Sequence, residues 1–161
     1  MKKSIRILLL AIIAVPLAVA ALSCSEEADC SANARPMLQC HLYTINPIDD
    51  SVEDDTLELL RVTAFGTDSV IINNQEEVTD ISLPLRYTAD STVLVFRYDE
   101  HTTDTLVLRH TNTPYFLSMD CGYQMQQKLS AVRYTTHRLD SIYINNPEAS
   151  AYATENLKLF Y

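Results

Sequence analysis

The chain has 161 residues, 21 acidic against 12 basic, and a formal net charge of −9. That balance excludes the clustered Lys and Arg through which proteins hold nucleic-acid phosphates. With only two glycines, Gly66 and Gly122, it has no glycine-rich phosphate-cradling loop, which excludes a nucleotide site.

Residues 1–23 open with MKKSIR, continue through the apolar run ILLLAIIAVPLAVAAL, interrupted by Pro16, and end on small residues before Cys24. A basic start, a short apolar stretch and small residues at the end are the layout of a secretory signal peptide. The run Ile7–Leu22 is shorter than the roughly 20 residues a mature membrane-spanning helix needs. Ala21-Leu22-Ser23-Cys24 resembles a bacterial lipobox, with Ala21 where leucine is usual. The resemblance implies lipidation of Cys24 and cleavage before it. Two or three fatty chains on one residue anchor a protein stably where one chain does not. Lys2, Lys3 and Arg6 leave with the signal, so the mature chain is more acidic still and reaches the membrane through its lipid, not through basic residues.

Residues 24–36 form the lipidated cysteine and a tether. Its start, Ser25-Glu26-Glu27-Ala28-Asp29, is too acidic and too poor in apolar residues to pack. Such a stretch after a lipidated cysteine resembles the signal that sends Bacteroidota lipoproteins to the outer face of the outer membrane. The expected location is therefore the outer membrane, surface-exposed or periplasm-facing.

Residues 37–161 read as one domain. Leu38, Cys40 and Leu42 alternate with Gln39, His41 and Tyr43, and Leu106, Leu108 and His110 alternate with Thr105, Val107 and Arg109. A period of two marks half-buried strands. Similar segments cover Leu57–Phe65, Val70–Asn73, Thr92–Tyr98, Pro114–Met119, Leu129–Thr136, Ser141–Asn145 and Asn156–Tyr161, with breaks rich in Asn, Asp, Thr and Pro. About nine short strands predict an all-β fold, a single antiparallel β-sandwich. Residues 99–103 read as a hairpin tip and residues 73–77 as another loop.

No chemical motif stands out along these strands. His41, His101, His110 and His137 have no metal-ligand spacing, and the acidic run Asp49–Asp55 lacks the pattern and the glycine of an EF-hand loop; a solvated loop explains it. Neither a metal nor a cofactor is expected. There is no GxSxG elbow, and nothing in their spacing selects Ser118, Cys121 and His110 as a catalytic group, so no catalytic residue is assigned. Tyr43, Tyr98, Tyr134 and Tyr143 lie on predicted strands and could present an aromatic face to a sugar or peptide; cross-strand packing is the competing use.

With Cys24 acylated, Cys30, Cys40 and Cys121 remain in an oxidising compartment. Cys40 sits on the apolar face of its strand, where a thiol behaves as a small hydrophobe. Cys30 and Cys121 sit in irregular places where backbones can approach. The favoured pair is Cys30–Cys121, with Cys40–Cys121 the alternative.

The order Cys30, Arg35-Pro36, Leu83-Pro84-Leu85, Asp104, then Ser118-Met119-Asp120-Cys121-Gly122-Tyr123, then a last strand near Asn156, resembles an uncharacterised family of small Bacteroidota lipoproteins. The resemblance implies no activity. The expected function is a lipid-anchored binding or envelope-accessory module with an envelope protein or glycan as partner. The alternative is a hydrolase acting on envelope or extracellular glycan or peptide.

Overall fold

A computed structural model describes residues 35–67, 69–149 and 154–161. The signal peptide, Cys24, the acidic tether and Cys30 lie outside the described residues. Eleven strands are present among those described, β1 (Met37–Ile45), β2 (Val52–Asp54), β3 (Leu57–Ala64), β4 (Val70–Val78), β5 (Asp80–Pro84), β6 (Ser91–Arg97), β7 (Thr103–Ser118), β8 (Gly122–Tyr134), β9 (Ser141–Ile144), β10 (Glu148–Ala149) and β11 (Glu155–Phe160). There is no helix among the described residues.

The strands form two sheets. In the first, the order is β2-β1-β11-β9, and β5 also pairs with β1; in the second it is β10-β8-β7-β6-β3-β4. β5 pairs with β1 over Met37–His41 and β2 over Tyr43–Ile45. Leu42 is the handover between them, its amide donating to Thr79 O at 3.0 Å and its carbonyl accepting from Asp55 N at 3.0 Å.

The alternation of apolar residues places one face of each sheet in a shared core. Leu38, Cys40, Leu42, Leu157 and Leu159 enter it from the first sheet; Leu60, Val62, Leu94, Phe96, Leu106 and Leu108 enter from the second, all buried. The sandwich read from the pattern is therefore present, but β5 and β10 are not among the segments read as strands, and there are four further differences. β1 and β11 run parallel, Leu42 opposite Leu159, where every other pairing is antiparallel. Residues 73–77, read as a loop, lie inside β4, which absorbs their polar character as a solvent-facing edge strand with Asn74 and Glu77 at φ 47° and 51°. Pro114–Met119 is not a separate strand but the far half of β7. Strand β2 lies inside the acidic run, held to β1 by backbone pairing that needs no apolar side chain.

Both glycines sit where the chain turns with positive φ, Gly66 at 80° after β3 and Gly122 at 67° where β8 begins, a region that costs other residues strain. β7 and β8 are the longest strands, of 16 and 13 residues. β6 pairs with β7 only as far as Ser91 opposite Arg109, and β10 pairs with β8 only at Gln127 and Lys128. Beyond those points the hairpin continues as a two-stranded ribbon to its turn at Met119–Cys121.

Its base is held by a buried polar network. His110 Nε2 lies 2.9 Å from Thr92 Oγ1, and its Nδ1 lies 3.2 Å from Asn112 Oδ1. Asn112 Nδ2 donates to the carbonyls of Arg86, Tyr87 and Ala89 at 3.1, 3.2 and 2.6 Å, and Gln127 Nε2 donates to Asn112 Oδ1 at 2.8 Å. Burial pulls the His110 imidazole below its ordinary pKa, against the opposing effects of Asn112 and Asp90.

Candidate arginine cleft

At the end of the second sheet opposite that ribbon lies a cleft of about 680 Å³, lined by Arg61, Arg97 and Arg138 together with Asn74 and the carboxylates Glu58, Asp99 and Glu100. Arg61 on β3 stands directly opposite Arg97 on β6. On its other side β4 is bulged. Val62 pairs with Ile72 and Leu60 with Gln75, so Asn73 and Asn74 together face Arg61. A bulge re-aims side chains and bends the edge, and Asn74 in the left-handed region turns the chain there. Arg61 Nε is buried and has no hydrogen-bond partner.

The third arginine is placed from below. Arg138 has its guanidinium 5.5 Å from the centre of the Tyr98 ring, a cation–π contact. Tyr98 is only 3% exposed, packs edge-on against Tyr161 at 5.8 Å, and its hydroxyl is pushed far up in pKa by burial. The backbone carrying Arg138 is fixed by Asp104, which is fully buried. Asp104 Oδ1 accepts from His137 N at 2.8 Å and Thr135 Oγ1 at 2.7 Å; its Oδ2 accepts from Arg138 N at 3.0 Å and Leu139 N at 2.9 Å. Burial alone would raise the Asp104 pKa, but these four donors outweigh it and hold the carboxyl down at about 2. The loop after Arg97 is likewise set by a carboxylate, Asp99 Oδ1 accepting from the amides of His101 and Thr102 at 2.7 Å each.

Among the described residues, the ion pairs within 4.0 Å join His41 to Asp54, Lys128 to Glu148, His137 to Asp104 and Lys158 to Glu155. None uses a cleft arginine. Arg61, Arg97 and Arg138 thus line one cavity, and among the described residues none has a carboxylate at ion-pair distance. Such groups recognise carboxylate and phosphate through paired N–H donors.

The four tyrosines do not share a face. Tyr43 and Tyr143 lie on the outer surface of the first sheet, on β1 and β9, with β11 between them. Tyr43 stacks near His41 at 5.0 Å and Phe160 at 5.7 Å, lies 4.9 Å from Lys158 Nζ and donates to Glu155 Oε2 at 2.6 Å. That hydrogen bond, then burial and the charges of Glu155 and Asp54, push the Tyr43 hydroxyl up to about 12. Tyr98 supports the cleft from inside the core, and Tyr134 is half-buried on β8 against the same core.

Cys40 is a free thiol buried in the core, its Sγ donating weakly to Leu38 O at 3.7 Å, and burial raises its pKa far above the ordinary range. Cys121 sits in the β7–β8 turn, where its amide donates to Ser118 Oγ at 3.0 Å. His110, at the base of the ribbon, is far along the strand from both. Among the described residues no three His, Cys, Asp or Glu side chains gather as a metal-ligand group.

The cleft arginines have no local motif. Arg61 and Arg97 are a polar step in an alternating strand each, and Arg138 is a loop residue. The signal that could have found them is composition, because basic residues are few in an acidic chain.

The model of a family of unknown function matches residues 59–161, from β3 to the C-terminus, and so includes all three cleft arginines and Asp104. No curated protein and no solved structure matches the chain.

Proposed function

We propose that this chain, which belongs to the family of unknown function DUF6452, is a lipid-anchored binding module of the outer membrane that holds a carboxylate- or phosphate-bearing ligand in the cleft of Arg61, Arg97 and Arg138. The observation that carries the reading is that three arginines line one cleft with no ion-pair partner among the described residues, in a chain of net charge −9. Arg61 Nε is a buried donor without a partner, a state that costs about 1–3 kcal/mol and that a turn of the side chain toward a bound anion would relieve. The volume of about 680 Å³ lies within the range of small-ligand sites. Glu58 and Glu100 on the same cleft offer acceptors to hydroxyl groups, which suits an acidic sugar better than a bare anion.

The anchor is Cys24, lipidated after cleavage of the signal, and Cys30 bridges to Cys121. The free, buried state of Cys40 supports that pairing, since it takes Cys40 out of competition. Met37 pairs with Pro84, beside the Arg86 carbonyl that Asn112 holds, so the chain enters the domain at the end from which the ribbon projects.

The reading is tested by titrating the full-length protein with inorganic phosphate and, separately, with galacturonate while following the arginine Nε–Hε resonances by NMR. The resonance of Arg61 should move and saturate with either probe, at lower concentration for galacturonate. Arginine resonances that stay in place through both titrations would refute it. Cys24→Ser should leave an unlipidated precursor; a variant matured and membrane-bound like the wild type would refute the anchor.

A further inference from the structure

Beyond the base held by His110, Asn112 and Gln127, residues 113–126 form the projecting ribbon, and Asp120 is their single charged residue in a chain that is 20% charged. The six residue steps of strand from Asn112 to Ser118 carry the tip about 20 Å out of the sandwich. On it Phe116 and Tyr123 face each other across the strands, ring centres 5.5 Å apart and nearly perpendicular. Their exposures are 52% and 76%, and Met119 in the turn is 89% exposed. A two-stranded ribbon is marginal in water, and an uncovered apolar patch marks a contact surface. Pro114, which has no amide hydrogen, stands in the part of β7 that β6 no longer covers, and so blunts that edge against pairing with another strand.

The structure assigns this tip to a lipid surface: we propose that Phe116, Met119 and Tyr123 enter the headgroup region of the membrane that carries the anchor. The inference rests on the anchoring reading above. Three observations select lipid over a protein partner. The domain is entered at Met37 from the same end as the ribbon. The thirteen residue steps from Cys24 to Met37 reach at most about 45 Å, which keeps the tip within contact of the surface that holds Cys24. The tip is aromatic and nearly uncharged, the composition found at membrane interfaces, whereas a second group of exposed apolar residues, Ile45, Ile48 and Val52, sits among Asp49, Asp50, Glu53, Asp54 and Asp55. In this orientation β7 spans about 50 Å of strand from Thr103 to Ser118, and the arginine cleft beside Thr103 points away from the bilayer.

The chain has no tryptophan, so a single one reports its own surroundings. Lipidated full-length Tyr123→Trp, purified from membranes, is placed in phosphatidylethanolamine vesicles containing phosphatidylcholine brominated in its acyl chains. The expected result is blue-shifted emission quenched by the brominated lipid, with Tyr143→Trp on the far face neither shifted nor quenched. Adding Phe116→Asp to the first variant should reduce the quenching. Water-like, unquenched emission from Tyr123→Trp in protein whose mass shows lipid on Cys24 overturns the proposal and leaves the anchor standing. A mass showing Cys24 unmodified overturns the anchor and this orientation with it.

Discussion

Arg61 and Arg97 are direct cross-strand neighbours, one on β3 and one on β6, and no carboxylate among the described residues lies within ion-pair distance of either. Like charges placed opposite each other destabilise a sheet, and opposite charges contribute roughly 0.2–1 kcal/mol. A pair that costs stability and serves a ligand should show opposite signs in the two properties. Arg97→Glu is therefore expected to raise the midpoint of urea unfolding while removing galacturonate binding. Loss of stability in this variant, measured by denaturant titration, would mean that the pair is not strained.

Asp104 ties the backbone of Arg138 to the core, and its removal should be felt at both places. Asp104→Asn keeps the shape but loses acceptor capacity for four donors, with an expected cost of about 2–3 kcal/mol. Because the folded-state pKa of about 2 lies below the ordinary 3.8, the stabilisation from this carboxylate is complete above pH 3.8 and is lost as pH falls from there toward 2. The amount is about 2 kcal/mol. The variant should lack that acid-limb slope when unfolding is followed by circular dichroism.

His110 acts in a different window. Its folded-state pKa lies below the ordinary 6.5, so the unfolded chain binds the proton first, and stability should fall as pH drops below 6.5 until the folded imidazole also protonates. His110→Gln should flatten unfolding free energy between pH 7 and 5. An unchanged slope would assign the loss to another group.

Alternation carried the core. Leu38, Cys40, Leu42, Leu106 and Leu108 were legible as inward residues because a half-buried strand has a period of two, and the hairpin loop at residues 99–103 was legible from its polar composition. The parallel pairing of β1 with β11 was not, since it joins segments more than a hundred residues apart and leaves no local mark. β4 was truncated at Asn73 because an edge strand can be polar on both faces. The cleft was illegible for a related reason. Arg61, Arg97 and Arg138 come from three distant segments, and Asp104 looked only like the start of a strand, although its burial organises residues 135–139.

The cysteines give a covalent prediction. Peptide mapping of the native protein without reductant should yield a Cys30–Cys121 peptide, with Cys40 alkylated only after unfolding. A loop of that length contributes about 4–5 kcal/mol at most by chain entropy. Alkylation of Cys30 in the folded protein, or a Cys24–Cys121 peptide, would contradict the assignment.

The most direct measurement is the affinity of the full-length protein for galacturonate by isothermal titration calorimetry, in wild type, Arg97→Ala and Arg109→Ala. Arg109 is an exposed arginine on β7 outside the cleft. A charged hydrogen bond is worth about 1.5–3 kcal/mol, so Arg97→Ala should bind at least about tenfold more weakly, and Arg109→Ala should bind like the wild type. Equal affinities for all three proteins would contradict a ligand held by the arginine cleft.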